Sequence, residues 1–290
     1  MGVHKMYLYY YLCNVVADLY MKTHGSGMVH ITKKPFMATP IPVPPLAEQE
    51  RIVARIGELF SQLDNGIETL QKTKQQLEVY RQAVLKDAFS VYTEKRPIRE
   101  LTSIVTSGSR GWAAYYSNSG AKFVRIGNLT RNRINIDFSD TQHVLLPENA
   151  EGKRTALQPN DVLVSITADL GSIGLVPEDI GEAYVNQHIA MVRFLNPAQG
   201  CMMAWYLRSE YGQKDLLKNK RGGGKLGLGL DDIRDTVVPI MSDNTADSVV
   251  ASIENRLSVC DSIEATVNTA LQQADALRQS ILKKAFEESI

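Results

Sequence analysis

Arg81-Gln82-Ala83-Val84-Leu85-Lys86-Asp87-Ala88-Phe89 returns as Arg278-Gln279-Ser280-Ile281-Leu282-Lys283-Lys284-Ala285-Phe286. The offset is 197 residues, and it holds backwards along the chain without a gap. It aligns Ile56 with Ile253, Asp64 with Asp261, Gln75-Gln76 with Gln272-Gln273, Pro42 with Pro239, Gly25 and Gly27 with Gly222 and Gly224, and Tyr9 with Tyr206. About 21 of the 82 positions from Leu8 to Phe89 are identical to their counterparts. Two similar helices could imitate the final nine residues. They would not keep register through a glycine loop and a proline strand, so the repeat reads as a duplication. It is asymmetric: Thr93–Met203, about 110 residues before the second copy, has no counterpart before the first.

Each copy ends in a long helix. Pro40–Pro45 is extended, and Leu46-Ala47-Glu48-Gln49-Glu50 opens a helix with acids in its first turn, where the macrodipole favours them. Ile56, Leu63, Leu70, Leu77 and Val84 recur every seven residues, and no proline interrupts Ala47–Lys95. The second copy places Ile253, Cys260, Val267, Ala274 and Ile281 in the same register. This is a coiled-coil pattern. Large residues on one helix against smaller ones on the other predict close interdigitation. At about 43 residues each helix is about 65 Å long. Ile56, Leu63, Leu70, Leu77, Val84, Ile253, Val267 and Ile281 are the expected helix-packing residues.

The intervening stretch has a different texture. Short β-like runs occur at Lys122–Ile126, Ile134–Phe138, Asp161–Ile166, Gly174–Val176 and Ala190–Phe194, separated by Ser, Gly, Asn and Pro clusters. A helix is predicted at Cys201–Lys218. The fold class is therefore α+β, with one mixed α/β domain and two long helices packed antiparallel. The predicted boundaries are 1–45 for a remnant of a first domain, 46–92 for the first long helix, 93–243 for the complete domain and 244–290 for the second long helix.

Charge and cysteine content narrow the function. Formal net charge is zero, which argues against indiscriminate coating of polyanions but leaves room for a local basic face. Cys13, Cys201 and Cys260 are scattered and odd in number, consistent with a reducing, cytoplasmic setting. No window reaches the roughly 20 apolar residues that a membrane span needs.

No catalytic signature stands. The sequence has no phosphate-loop G-x-x-x-x-G-K-[ST], no H-E-x-x-H pair, no G-x-S-x-G elbow and no metal-ligand spacing among its five histidines. Gly222, Gly224 and Gly227 spell G-x-G-x-x-G, but they follow a lysine-rich helix where a dinucleotide loop needs a strand. That glycine run reads either as a plain turn or, with Lys220, Arg221 and Lys225, as a basic loop holding phosphate oxygens. No Asp or Glu occurs between Leu101 and Ile136, and this stretch carries Arg110, Arg131 and Arg133 beside Trp112, Tyr115 and Asn128. Arg and Asn are the types that pair bidentately with guanine and adenine edges. A solvated face with the aromatics in the core is the competing reading. Thr167, Asn186 and Gln187 lie in turns at strand ends and complete the candidate DNA contacts.

Together these features resemble the specificity subunit of Type I restriction-modification systems. The resemblance rests on Ile41-Pro42-Val43-Pro44-Pro45-Leu46-Ala47-Glu48-Gln49-Glu50-Arg51-Ile52-Val53, on Tyr80 through Phe89, on Phe123-Val124-Arg125-Ile126-Gly127-Asn128-Leu129 and on Asn186-Gln187-His188-Ile189. It implies a non-catalytic reader of double-stranded DNA whose helices set the spacing of half-sites and dock modification subunits. A restriction subunit then joins through the complex. S-adenosylmethionine, ATP and Mg are expected on those partners and none on this chain. The chain departs from the family at its front, where the first recognition domain keeps only a tail. That departure leaves pairing with a second copy of the chain open. The alternative function is a coiled-coil scaffold without DNA specificity.

Overall fold

The computed structural model describes residues 2–23, 30–147, 154–218 and 227–287. The chain divides into two compact units, Met1–Glu78 with Asp261–Ile290, and Val79–Cys260. In chain order the first part gives α1 (Lys5–Asn14), α2 (Val16–Tyr20), α3 (Lys33–Met37) and α4 (Leu46–Phe89). Then come β1 (Lys95–Pro97), β2 (Thr102–Ser107), β3 (Tyr116–Ser117), β4 (Ala121–Val124), β5 (Gln142–Val144), β6 (Val162–Ser165), β7 (Ile173–Leu175), β8 (Ala183–Val185) and β9 (Ile189–Phe194). The chain closes with α5 (Gly200–Arg208), α6 (Glu210–Leu217), α7 (Leu230–Arg234), β10 (Val237–Pro239) and α8 (Asp243–Glu287). The long helices α4 and α8 contribute to both units.

The first unit is helical. The Pro45 carbonyl accepts the backbone N–H groups of Glu48 and Gln49, so α4 starts directly on the double proline. Gln49 is fully buried and locks this start: its amide donates to the Pro44 carbonyl at 2.8 Å and its carbonyl accepts from the His4 N–H at 2.7 Å. Tyr7 is buried among Ile52, Ile56, Leu282 and Phe286, with its hydroxyl donating to the Pro42 carbonyl at 2.8 Å. Lys74 Nζ meets Asn268 Oδ1 at 3.1 Å and Arg278 pairs with Asp64, so the helices run antiparallel here.

The seam is looser than the heptads predict. Leu63, Ile67 and Leu70 face Ala270, Ala274, Leu277 and Ile281 across a groove of about 520 Å³. Gly66 brings no side chain to that level, and two alanines stand opposite. Small residues on both helices leave space where small against large would close it. Ile56, Leu77, Val84, Ile253 and Val267 are buried as expected, whereas Leu63, Leu70 and Ile281 are half-exposed.

The second unit packs helices on sheets. One sheet has the order β2-β9-β6-β7 and is antiparallel throughout. A second has the order β3-β5-β4-β8, with β4 and β8 parallel. β1 and β10 form a separate antiparallel pair. Both faces of β6 and β9 are covered, so these strands read as apolar runs with little alternation, Val162-Leu163-Val164 and Ile189-Ala190-Met191-Val192. The half-buried Arg193 of β9 forks onto the buried Asp161 carboxylate at 2.8 and 2.7 Å.

Two expected elements differ. Ile134–Phe138 forms no strand; it contributes single bridges, Ile136 to Leu129 and Asn135 to Leu175. The helix predicted at Cys201–Lys218 breaks at Ser209, whose extended backbone (ψ 162°) separates α5 from α6. Gly212 makes this break possible, because a Cβ there would lie 2.1 Å from the Tyr206 carbonyl oxygen.

The duplication is visible in the elements. The 197-residue offset carries Lys33–Met37 onto Leu230–Arg234 and Leu46 onto Asp243, the start of α8. Phe89 packs edge-on against Tyr206, and its counterpart Phe286 packs edge-on against Tyr7 and Tyr11. The environments differ, however. Tyr206 is 1% exposed beside the sheet that α5 covers, whereas Tyr9 is 56% exposed. The first unit has no sheet among its described residues.

Candidate nucleic-acid interface

The second unit gathers its polar loops around the turn from β6 to β7. Ala168 (φ 58°) and Gly171 (φ 79°) adopt left-handed backbone there, an uncommon conformation for alanine. Local hydrogen bonds hold the shape. Ser165 Oγ donates to the Asp169 carbonyl and accepts the Ser172 N–H at 2.8 Å. The Ser172 hydroxyl donates to Asp169 Oδ2 at 2.8 Å, and the Gly171 N–H donates to the Ser165 carbonyl at 3.1 Å. From α6, the Gln213 amide donates to the carbonyls of Gly171 at 2.8 Å and Leu207 at 2.7 Å. The turn is therefore preorganised before anything binds.

Other segments meet it. Thr167 Oγ1 lies 2.8 Å from His188 Nδ1, and the Ile166 N–H donates to the His188 carbonyl at 3.0 Å. Gln187 Nε2 sits 2.9 Å from His188 Nε2, and Asn186 Oδ1 accepts the His188 N–H at 3.1 Å. Thr167 also bridges to Gly227, and the Leu228 N–H donates to the Ile166 carbonyl at 3.0 Å. Arg131 reaches in from the loop after Leu129 and pairs with Asp169. Gly108 packs so closely on the Val185 and Asn186 backbone that a Cβ would lie 2.0 Å from the Val185 carbonyl oxygen. The segment carrying Arg110 is thereby laid beside the Asn186 turn.

The candidate residues thus separate. Arg131, Thr167, Asn186 and Gln187 come together in one loop cluster. Arg110 and Arg133 are exposed, Arg110 on the adjoining segment and Arg133 on the Arg131 loop. Tyr115 is 37% exposed. Two expectations are corrected. Trp112 is buried, stacked on Phe123 at 4.7 Å and against Tyr184, so it is a core residue of the second sheet. Asn128 is buried and spends its amide on its own backbone: Oδ1 accepts the Arg125 N–H at 2.8 Å, and Nδ2 donates to the Asp137 and Asp140 carbonyls. Neither side chain can reach a base edge without opening the core. Lys220, Arg221 and Lys225 lie outside the described residues.

Sequence reasoning missed Arg208 and Gln213. Both sit within the stretch predicted as an uninterrupted helix, and the break at Ser209 separates α5, which ends at Arg208, from α6, whose Gln213 reaches the Gly171 carbonyl. Burial lowers the Arg208 pKa, and the nearby Arg131 charge lowers it further. Among the described residues no group of three His, Cys, Asp or Glu side chains stands ready to hold a metal ion.

Residues 2–79 match the family described as the Type I restriction modification DNA specificity domain. The chain resembles the Type I specificity subunits. It is 26% identical to the EcoBI specificity subunit of Escherichia coli, over 97% of this chain and 65% of that one. It is 27% identical to the StySPI specificity subunit of Salmonella potsdam, over 90% of this chain and 60% of that one. The chain thus spans less than two thirds of the length of these relatives. A chain from a solved type I R-M system assembly superposes with a TM-score of 0.77 at 17% identity, covering 97% of this chain and 70% of that one. The HsdS subunit of Thermoanaerobacter tengcongensis gives a TM-score of 0.55 at 17% identity, covering 99% of this chain and 71% of that one. At these identities the structural likeness speaks for the fold, an α/β body with long helices, as in the specificity subunits.

Proposed function

We propose that the second unit reads duplex DNA and that the chain acts as a specificity subunit without catalysis of its own. The convergence of the Arg131, Thr167, Asn186–His188 and Gly227 segments on one preorganised turn carries this reading. It supplies what base readout needs: several short polar side chains and cations presented from a rigid scaffold. In this account α4 and α8 dock modification subunits, which bring S-adenosylmethionine. A restriction subunit, with ATP and Mg, joins through that complex. The setting is the cytoplasm, and no helix among the described residues is long and apolar enough to cross a membrane. Affinity selection of duplexes from a randomised pool tests the reading. Enrichment of a defined motif by the full chain supports it. An unenriched pool, with helix-mediated partner assembly intact, points instead to a scaffold.

A further inference from the structure

We propose that Arg208 and Arg131 form a clamp for one backbone phosphate of the bound duplex, at the rim of the Thr167–Gly171 turn. The inference rests on the DNA-reading function proposed above. Arg208 ends α5, and Gln213 binds the neighbouring Leu207 carbonyl and the Gly171 carbonyl with one amide, so the end of α5 is fixed beside the turn. Arg208 Nε is buried and has no hydrogen-bond partner among the described residues. Such a donor is costly unless something satisfies it. Arg131 is 70% exposed at its side chain and pairs with Asp169 of the same turn.

Burial and the Arg131 charge both work against the Arg208 cation, the first more than the second. A phosphodiester would relieve the unpaired donor and the disfavoured cation together. It presents acceptor oxygens in the geometry that a guanidinium fork matches, and it carries a negative charge. The position of Arg208 in the last turn of α5 also suits the helix dipole, but a dipole contact leaves Nε unpaired.

The test is equilibrium binding of the full chain to a mixed-sequence duplex of about 30 base pairs, from about 50 to 200 mM salt. Arg208→Gln should weaken binding regardless of sequence and reduce the slope of log affinity against log salt by about 0.9. Its deficit should therefore shrink about threefold across that salt range. Arg208→Lys, which keeps the charge, should retain most of the slope. If Arg208→Gln fails to fold, Arg131→Gln, at an exposed position, should show the same loss of slope. A variant with wild-type affinity and slope overturns the clamp, and a lowered thermal midpoint alone assigns Arg208 a structural role. If the wild-type chain itself shows no salt-dependent duplex binding, the DNA-reading function fails and the clamp with it.

Discussion

The Thr167 hydroxyl lies 2.8 Å from Nδ1 of His188, and this contact ties the β6–β7 turn to the turn before β9. Thr167→Val keeps the shape of the side chain and removes the partner of the His188 ring nitrogen. Because the site is half-exposed, the stability cost should be near the lower end of the range for an unmatched group, about 1 kcal/mol. The larger effect should fall on selectivity. The ratio of cognate to random-duplex affinity should drop about tenfold, as expected for loss of one well-placed polar contact. Parallel denaturant titration and binding measurements check both; an unchanged ratio removes this turn from the reading surface.

Asp169→Asn makes a prediction of opposite sign. The carboxylate pairs with Arg131 and accepts the Ser172 hydroxyl. Asparagine keeps an acceptor for Ser172 but removes a negative charge from the surface and frees Arg131. Duplex affinity should rise, and the salt dependence should steepen by up to about 0.9 in slope. Reduced affinity with the fold intact would show that Asp169 itself contacts DNA.

Trp112 and Arg110 should separate stability from binding. Trp112 fills the core of the second sheet, so Trp112→Ala should cost about 3–5 kcal/mol in a denaturation curve. Arg110 is exposed, and Arg110→Ala should leave stability within about 0.5 kcal/mol while weakening duplex binding. Swapped outcomes would reverse both assignments.

The groove between the long helices suggests a stabilising change. A Cβ at Gly66 would meet nothing within 4 Å. Gly66→Ala should therefore gain up to about 1 kcal/mol from helix propensity alone. Thermal unfolding of the full chain measures it, and a lower midpoint would mean that the groove is occupied in solution.

Cys201 gives a pH-dependent signature. Burial first, and the Glu254 carboxylate second, push its thiol up to about 12 from an ordinary value of 9.0. The folded state therefore holds the proton longer than the unfolded chain. This contribution to stability is fully present below pH 9 and is lost as pH rises toward about 12. At pH 8, iodoacetamide should leave Cys201 unmodified until denaturant is added, as read by peptide mass mapping. Rapid labelling of the native chain would contradict the burial.

The sequence made the long helices legible because heptad spacing and the proline start are local signals. Repetition at one offset then transferred each boundary from one copy to the other. The small strands were less legible. β1 pairs with β10 across more than a hundred residues, and β8 adds a parallel edge to β4, pairings that no short window encodes. The interface was read in part for the same reason. Arg131 and Thr167 were visible as residue types in loops, but their approach depends on an ion pair with Asp169 and on Gln213 reaching from α6. Trp112 and Asn128 carried the composition of a reading face. The fold spent both in its interior, one on aromatic stacking and one on satisfying backbone groups.

The most direct test of the central claim is selection of duplexes from a random pool by the full chain, followed by sequencing. The account predicts enrichment of one defined motif, with binding that weakens as salt rises and enrichment that falls in Thr167→Val. A pool that emerges without sequence bias, bound equally by wild type and variant, would contradict it.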